Sequence, residues 1–297
     1  MKRVSWVLAV LWLAAGEAWA GGIFGNSYSA AVTLPDALGS MTTGGATTMG
    51  IAFDGTHYWS AAGGYADAVE FAQYTGAGVL INTYNPQLDL RSVFTDGSGN
   101  VYVRAFDDAT IYRQTSPGVF VSSGVVLAPN ALNDQSAVVL NGPGTEYVAM
   151  FSGVVSRWDL DGNALGTVAL VNFGSVGNEA GYPQNRGLAA ARDYWLTYDG
   201  YGQTLSAWDF SGNVVGMTVL NDAGNSFDSN FSLSYANGLV FVVDVAGGTW
   251  RGYDVFGLAD VAVPEPGSLA VFGISLIGIA CLGRRRKPSL AAASCAH

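Results

Sequence analysis

Between residues 21 and 266 the chain holds one histidine, His57, in a turn just before Tyr58-Trp59. A catalytic histidine needs a nucleophile on one side and an orienting carboxylate on the other. No Gly-x-Ser-x-Gly elbow accompanies it, and this span has no cysteine to act as nucleophile or thiolate ligand. One histidine also falls short of a zinc site unless other strong ligands join it. His57 therefore reads as a turn residue. Carboxylates are plentiful: Asp107 and Asp108, Asp159 and Asp161, Asp199, Asp209, Asp244 and Asp254. Two carboxyls about 5–10 Å apart across a sugar are what glycoside hydrolysis requires. Aspartate at a strand end more commonly accepts hydrogen bonds within its own turn. Asp159-Leu160-Asp161-Gly162-Asn163 is similar to part of a calcium loop, but glycine at the sixth position and glutamate at the twelfth are missing. No cofactor is implied; weak calcium binding stays open as an alternative.

Trp59, Trp158, Trp195, Trp208 and Trp250 are the side chains that could stack on sugar rings. Most fall at strand positions where packed sheets want bulk, so packing is the favoured role. The longest non-repetitive polar stretch runs from Asn172 to Arg186, with Glu179, Tyr182, Asn185 and Arg186. Long polar loops on a rigid scaffold are where binding concentrates, which makes these four the candidate ligand residues. The threonines of Met41-Thr42-Thr43-Gly44-Gly45-Ala46-Thr47-Thr48 form no regular ladder and read as a linker.

The elements that must position such residues recur. Five segments share a short apolar strand, a Gly/Asn/Asp turn, an aromatic and β-branched strand, and a strand ending in an aromatic. They begin near Gly50, Ser92, Ala137, Gly187 and Ser232. Trp158-Asp159-Leu160-Asp161-Gly162-Asn163 aligns with Trp208-Asp209-Phe210-Ser211-Gly212-Asn213, 50 residues on. With Tyr74, Tyr112 and Tyr253 as equivalents, the other intervals are 38, 46 and 45. Periods of about 40–50 residues with four strands each mark a β-propeller. Fourth-strand candidates are Ala31–Leu34, Val79–Tyr84, Val119–Val126, Ala164–Leu170 and Val214–Leu220, each grouped with the three-strand unit that follows it. The expected fold is all-β, a propeller of about five four-stranded blades. A six-bladed ring and a two-sheet sandwich remain alternatives.

Residues 21–266 carry seven arginines, no lysine and 22 carboxylates, a formal charge of −15. Such a surface repels phosphate backbones, so nucleic acid is not an expected partner. Both cysteines, Cys281 and Cys295, lie beyond this span, so the domain contains no disulfide.

The termini read as targeting segments. Lys2-Arg3, an apolar run from Val4 to Ala15, and Ala18-Trp19-Ala20 form a signal peptide, with cleavage by signal peptidase expected after Ala20. Near the other end stand Pro264-Glu265-Pro266, an apolar stretch across 268–283, and Arg284-Arg285-Arg286-Lys287. As a helix the stretch spans about 24 Å, and snorkelling arginines make up the rest of a roughly 30 Å hydrocarbon core. The basic cluster holds its end in the cytoplasm.

This order resembles the PEP-CTERM sorting signal. The resemblance implies processing by exosortase, a transient stay in the inner membrane of a Gram-negative bacterium, and a periplasmic ectodomain destined for the cell surface or extracellular matrix. It also implies an association with exopolysaccharide. Val93–Tyr112 and Val155–Leu170 resemble NHL-type propeller repeats, which implies fold rather than function. The chain thus divides into a signal peptide (1–20), a linker with first strand (21–49), a propeller (50–263), the sorting signal (264–287) and a short tail (288–297). The expected function is a non-enzymatic binding platform. The alternative is a propeller-type polysaccharide lyase or glycoside hydrolase.

Overall fold

The computed structural model describes residues 23–39, 47–64, 70–129, 132–176, 185–224, 231 and 233–257. The signal peptide with Ala18 and Ala20, the segment 258–263, the motif Pro264-Glu265-Pro266, the span 268–283 and Arg284–Lys287 lie outside them. No helix among the described residues is long and apolar enough to cross a membrane.

Two short strands, β1 (Ser27–Tyr28) and β2 (Val32–Pro35), come first. Blade 1 is β3 (Thr47–Phe53), β4 (His57–Gly63), β5 (Phe71–Thr75) and β6 (Leu80–Tyr84). Blade 2 is β7 (Leu90–Thr95), β8 (Val101–Ala105), β9 (Thr110–Ser116) and β10 (Val119–Val126). Blade 3 is β11 (Val138–Leu140), β12 (Glu146–Phe151), β13 (Val154–Asp159) and β14 (Ala164–Ala169). Blade 4 is β15 (Asn185–Ala191), β16 (Tyr194–Asp199), β17 (Thr204–Trp208) and β18 (Val214–Leu220). Blade 5 takes β19 (Leu233–Ala236), β20 (Leu239–Asp244) and β21 (Thr249–Tyr253), and its outer strand is β2. The first strands β3, β7, β11, β15 and β19 touch in succession, and β19 touches β3, so five blades close a ring.

The strand grouping differs from the sequence expectation. Each fourth strand pairs with the three-strand unit before it, as β10 does with β9 through Val121↔Arg113. The first candidate, β2, pairs with the last strand through Leu34↔Trp250. The physical reason is the hairpin: two residues between β9 and β10 leave no room for any other partner. Thr47 and Thr48, expected in a linker, are buried in β3.

Five apolar clusters fill the junctions between blades. All five tryptophans named above are buried there, from 0 to 3 % exposed, so they pack the ring rather than face solvent. Inner-strand groups that face the channel are stitched across junctions. Ile51 N–H donates to Ser234 Oγ at 3.0 Å, and Thr95 Oγ1 donates to Phe53 O at 3.1 Å.

The repeated aromatic-Asp-x-x-Gly-Asn turn has a clear task. Asp159 Oδ1 accepts from the N–H groups of Asp161 and Asn163 at 3.0 and 2.8 Å, and Asp209 does the same for Ser211 and Asn213. The turn then presents a left-handed glycine, Gly162 at φ +87° or Gly212 at φ +86°, to the end of the preceding blade's outer strand. A Cβ on Gly162 would lie 2.5 Å from Val126 O. Ala128 N–H donates to Gly162 O at 2.9 Å, and Val171 N–H to Gly212 O at 2.8 Å. Between blades 4 and 5 the N-terminal strand stands in for this turn: β1 pairs with β18, and Asn221 N–H donates to Tyr28 O.

Candidate functional site

Antiparallel strands give the ring two unlike ends. The turns from first to second strand, 54–56, 96–100, 141–145, 192–193 and 237–238, share one end. The connections from second to third strand and from blade to blade share the other. Every connection longer than five residues lies at that second end: 36–46, 64–70, 127–137, 170–184 and 221–232. The candidate ligand stretch belongs to the fourth of these. Glu179 and Tyr182 lie outside the described residues; Asn185 and Arg186 begin β15, and their side chains lie outside them too.

At the short-turn end a cavity of about 420 Å³ opens on the axis, lined by Val139, Leu140, Pro143, Arg192 and Tyr235 among others. Its one carboxylate, Asp96, accepts from the N–H groups of Ser98 and Asn100 and from Asn100 Nδ2 and Tyr102 OH. Burial pushes the Asp96 carboxyl up, but these donors outweigh it and hold it below the usual range. Its one cation, Arg192, lies 4.7 Å over the Phe256 ring. Phe24, Tyr194 and Tyr235 surround that ring, fixing where the chain leaves blade 5. No acid and base converge in this mouth.

Three more strand-end aspartates also face their own turns. Asp54 accepts from Thr56 N–H, His57 N–H and Trp59 Nε1, with His57 Nδ1 3.6 Å from its second oxygen. His57, expected in the turn, is instead the first residue of β4, bonded to the turn's aspartate through its backbone N–H. Asp108 accepts from Thr110 N–H and Tyr112 OH, and Asp244 from Gly247 N–H and Arg251. Among the described residues no group of three or more His, Cys, Asp or Glu is placed to hold a metal ion.

The long-loop end rests on buried charges that sequence reasoning missed. Arg104, 1 % exposed, donates to the carbonyls of Asp108, Asn133, Asp134 and Ser136, tying down connection 127–137. Burial brings its pKa down to about 10, so it stays a cation at neutral pH. Arg91 binds Asp89, which accepts Gly64 N–H at 2.7 Å, and Arg91 lies 4.6 Å under the Phe106 ring. Glu70 accepts from Leu90 N–H. Asp36 accepts from Thr48 Oγ1 at 2.9 Å, and burial holds its carboxyl above the usual range. A signal existed for Arg104: it sits on a strand between Val103 and Ala105, where a buried cation must be paired.

Above this platform stand Phe106, Phe151 and Tyr201, the three exposed aromatic side chains among the described residues, at 40, 43 and 67 %. Each sits at the second-to-third-strand turn of its blade, on blades 2, 3 and 4 in succession.

No curated protein matches the sequence. Similar solved structures include Myxococcus xanthus glutaminyl cyclase, 13 % identical over 77 % of this chain and 97 % of that one, with a TM-score of 0.48. A protein of unknown function from Bacteroides thetaiotaomicron is 13 % identical over 78 and 74 % with a TM-score of 0.47. Virginiamycin B lyase from Staphylococcus aureus is 14 % identical over 71 and 66 % with a TM-score of 0.37. Residues 262–287 match the PEP-CTERM protein-sorting motif. The chain therefore joins a five-bladed β-propeller to a PEP-CTERM motif, which implies export and exosortase sorting to the cell surface.

Proposed function

We propose that the propeller is a non-enzymatic binding platform, delivered to the surface or matrix of a Gram-negative bacterium and associated there with exopolysaccharide. Signal peptidase removes the N-terminal leader. The C-terminal span holds the chain in the inner membrane until exosortase acts. The observation that carries the reading is the state of the carboxylates. Asp54, Asp96, Asp108, Asp159, Asp209 and Asp244, strand-end carboxylates that could have served as general acid or base, are bonded within their own turns, while the long connections share one end.

The test is incubation of the secreted, processed protein with bacterial exopolysaccharides. Retention on the polymer with no new reducing ends and no unsaturated product supports the proposal. Progressive shortening of the polymer would replace it with the lyase or hydrolase alternative.

A further inference from the structure

We infer that Phe106, Phe151 and Tyr201 form a crown that binds an uncharged polysaccharide by stacking on its sugar rings. The inference rests on the binding-platform reading above and names the ligand class and the residues.

Three observations carry it. First, the described aromatics are sorted. The tryptophans are buried in the blade junctions, while Phe106, Phe151 and Tyr201 alone are exposed, at equivalent turns on one end. Exposed rings cost solvation, and scattered packing leftovers would not select one turn on three consecutive blades. Second, the positions are fixed before any ligand arrives. Phe106 N–H donates to Asp89 O at 2.7 Å, and Arg91 covers one face of its ring. Tyr201 N–H donates to Asp199 Oδ1 at 3.0 Å, and Phe151 ends β12 opposite Val154. Rigid anchors lose little conformational entropy on binding. Third, the rings are separate. Among the described residues none of the three stacks on another aromatic ring, so each is a separate anchor. Exposed Asp107 and Ser152 directly follow two of them in the chain.

Separate rings on successive blades suit a pyranose chain. Each sugar offers an apolar face of C–H groups and a rim of hydroxyls, so single rings set among polar turns match it residue by residue. A protein partner of ordinary interface size instead needs a continuous dry core. The formal charge of −15 across 21–266 opposes uronate-rich polymers and anionic lipid alike. An uncharged glycan fits both the rings and the charge.

The experiment measures retention of the secreted protein on cellulose and dextran, and on alginate and polygalacturonate. It is run at low salt and at about 0.5 M salt, where exposed charges are screened, with and without calcium. Wild type is compared with Phe106→Ala, Phe151→Ala, Tyr201→Ala and the triple variant; circular dichroism checks that each is folded. The expected result is salt-independent retention on a neutral polymer, roughly 2- to 10-fold weaker for each single variant and abolished in the triple. A folded triple variant that binds like wild type overturns the crown and leaves the platform reading standing. Retention only on acidic polymers, or only with calcium, overturns the uncharged ligand. Retention on none of the polymers by wild type overturns both readings. Shortening of the polymer overturns the non-enzymatic reading alone.

Discussion

Replacing Gly162 by alanine tests whether the repeated turn is a docking device between blades. Gly162 holds φ +87°, and its added Cβ would meet Val126 O at 2.5 Å, where blade 3 seats on blade 2. A left-handed backbone costs an alanine about 1–2 kcal/mol. The clash with a backbone atom, which cannot swing aside, adds about 1–3 kcal/mol. The total of about 2–5 kcal/mol lowers the melting temperature of a ring this size by roughly 4–20 °C. Gly55 is the control. Its φ is +96°, and nothing lies within 4 Å of its added Cβ, so Gly55→Ala incurs the backbone strain alone. Thermal unfolding followed by circular dichroism on the two variants separates the terms. A clearly larger loss for Gly162→Ala, matched by Gly212→Ala, is expected. Equal losses at Gly55 and Gly162 would refute the docking argument.

Other consequences follow from the same contacts. Arg104→Met leaves four carbonyls without their donor and should cost about 1–3 kcal/mol for each that stays buried, read as a lower urea midpoint. Acid should weaken the fold. Hydrogen bonds from their turns hold Asp54, Asp96, Asp108, Asp159 and Asp209 below the usual range, so their contribution is present above roughly pH 4 and is lost as pH falls through their folded values. Asp36 has the opposite sign, since burial raises it and its contribution fades as pH rises. Asp36→Asn should therefore leave the melting temperature at pH 7 unchanged or higher. Deleting residues 23–35 removes β1 and β2, opens blade 5 and bares the edge of β18. Rapid proteolysis or self-association is expected, read by limited proteolysis and size-exclusion chromatography.

Much of this ring is written in local sequence. The 50-residue offset between Trp158 and Trp208 finds blades 3 and 4 because both repeat one hydrogen-bonded turn and one buried tryptophan. Strand limits such as Val119–Val126 and Val214–Leu220 emerge unchanged, since alternation and Gly-containing turns set them. Blade membership was less legible. A four-strand period can be cut at any strand, and only the short hairpin at Pro117-Gly118 says which neighbour β10 must join. The swap of β2 onto the last blade is a contact between residues over 200 positions apart, Leu34 with Trp250, and no local signal carries it. The aromatic crown was hidden for a related reason. Phe106, Phe151 and Tyr201 look like any strand-end aromatics until topology places their turns at one end.

The most direct check on the whole account is mass spectrometry of the protein recovered outside the cell. A mature chain that begins just after Ala20, ends near Pro264-Glu265-Pro266 and lacks all later peptides is the predicted result. An extracellular chain that still carries Arg284-Arg285-Arg286-Lys287 would contradict it.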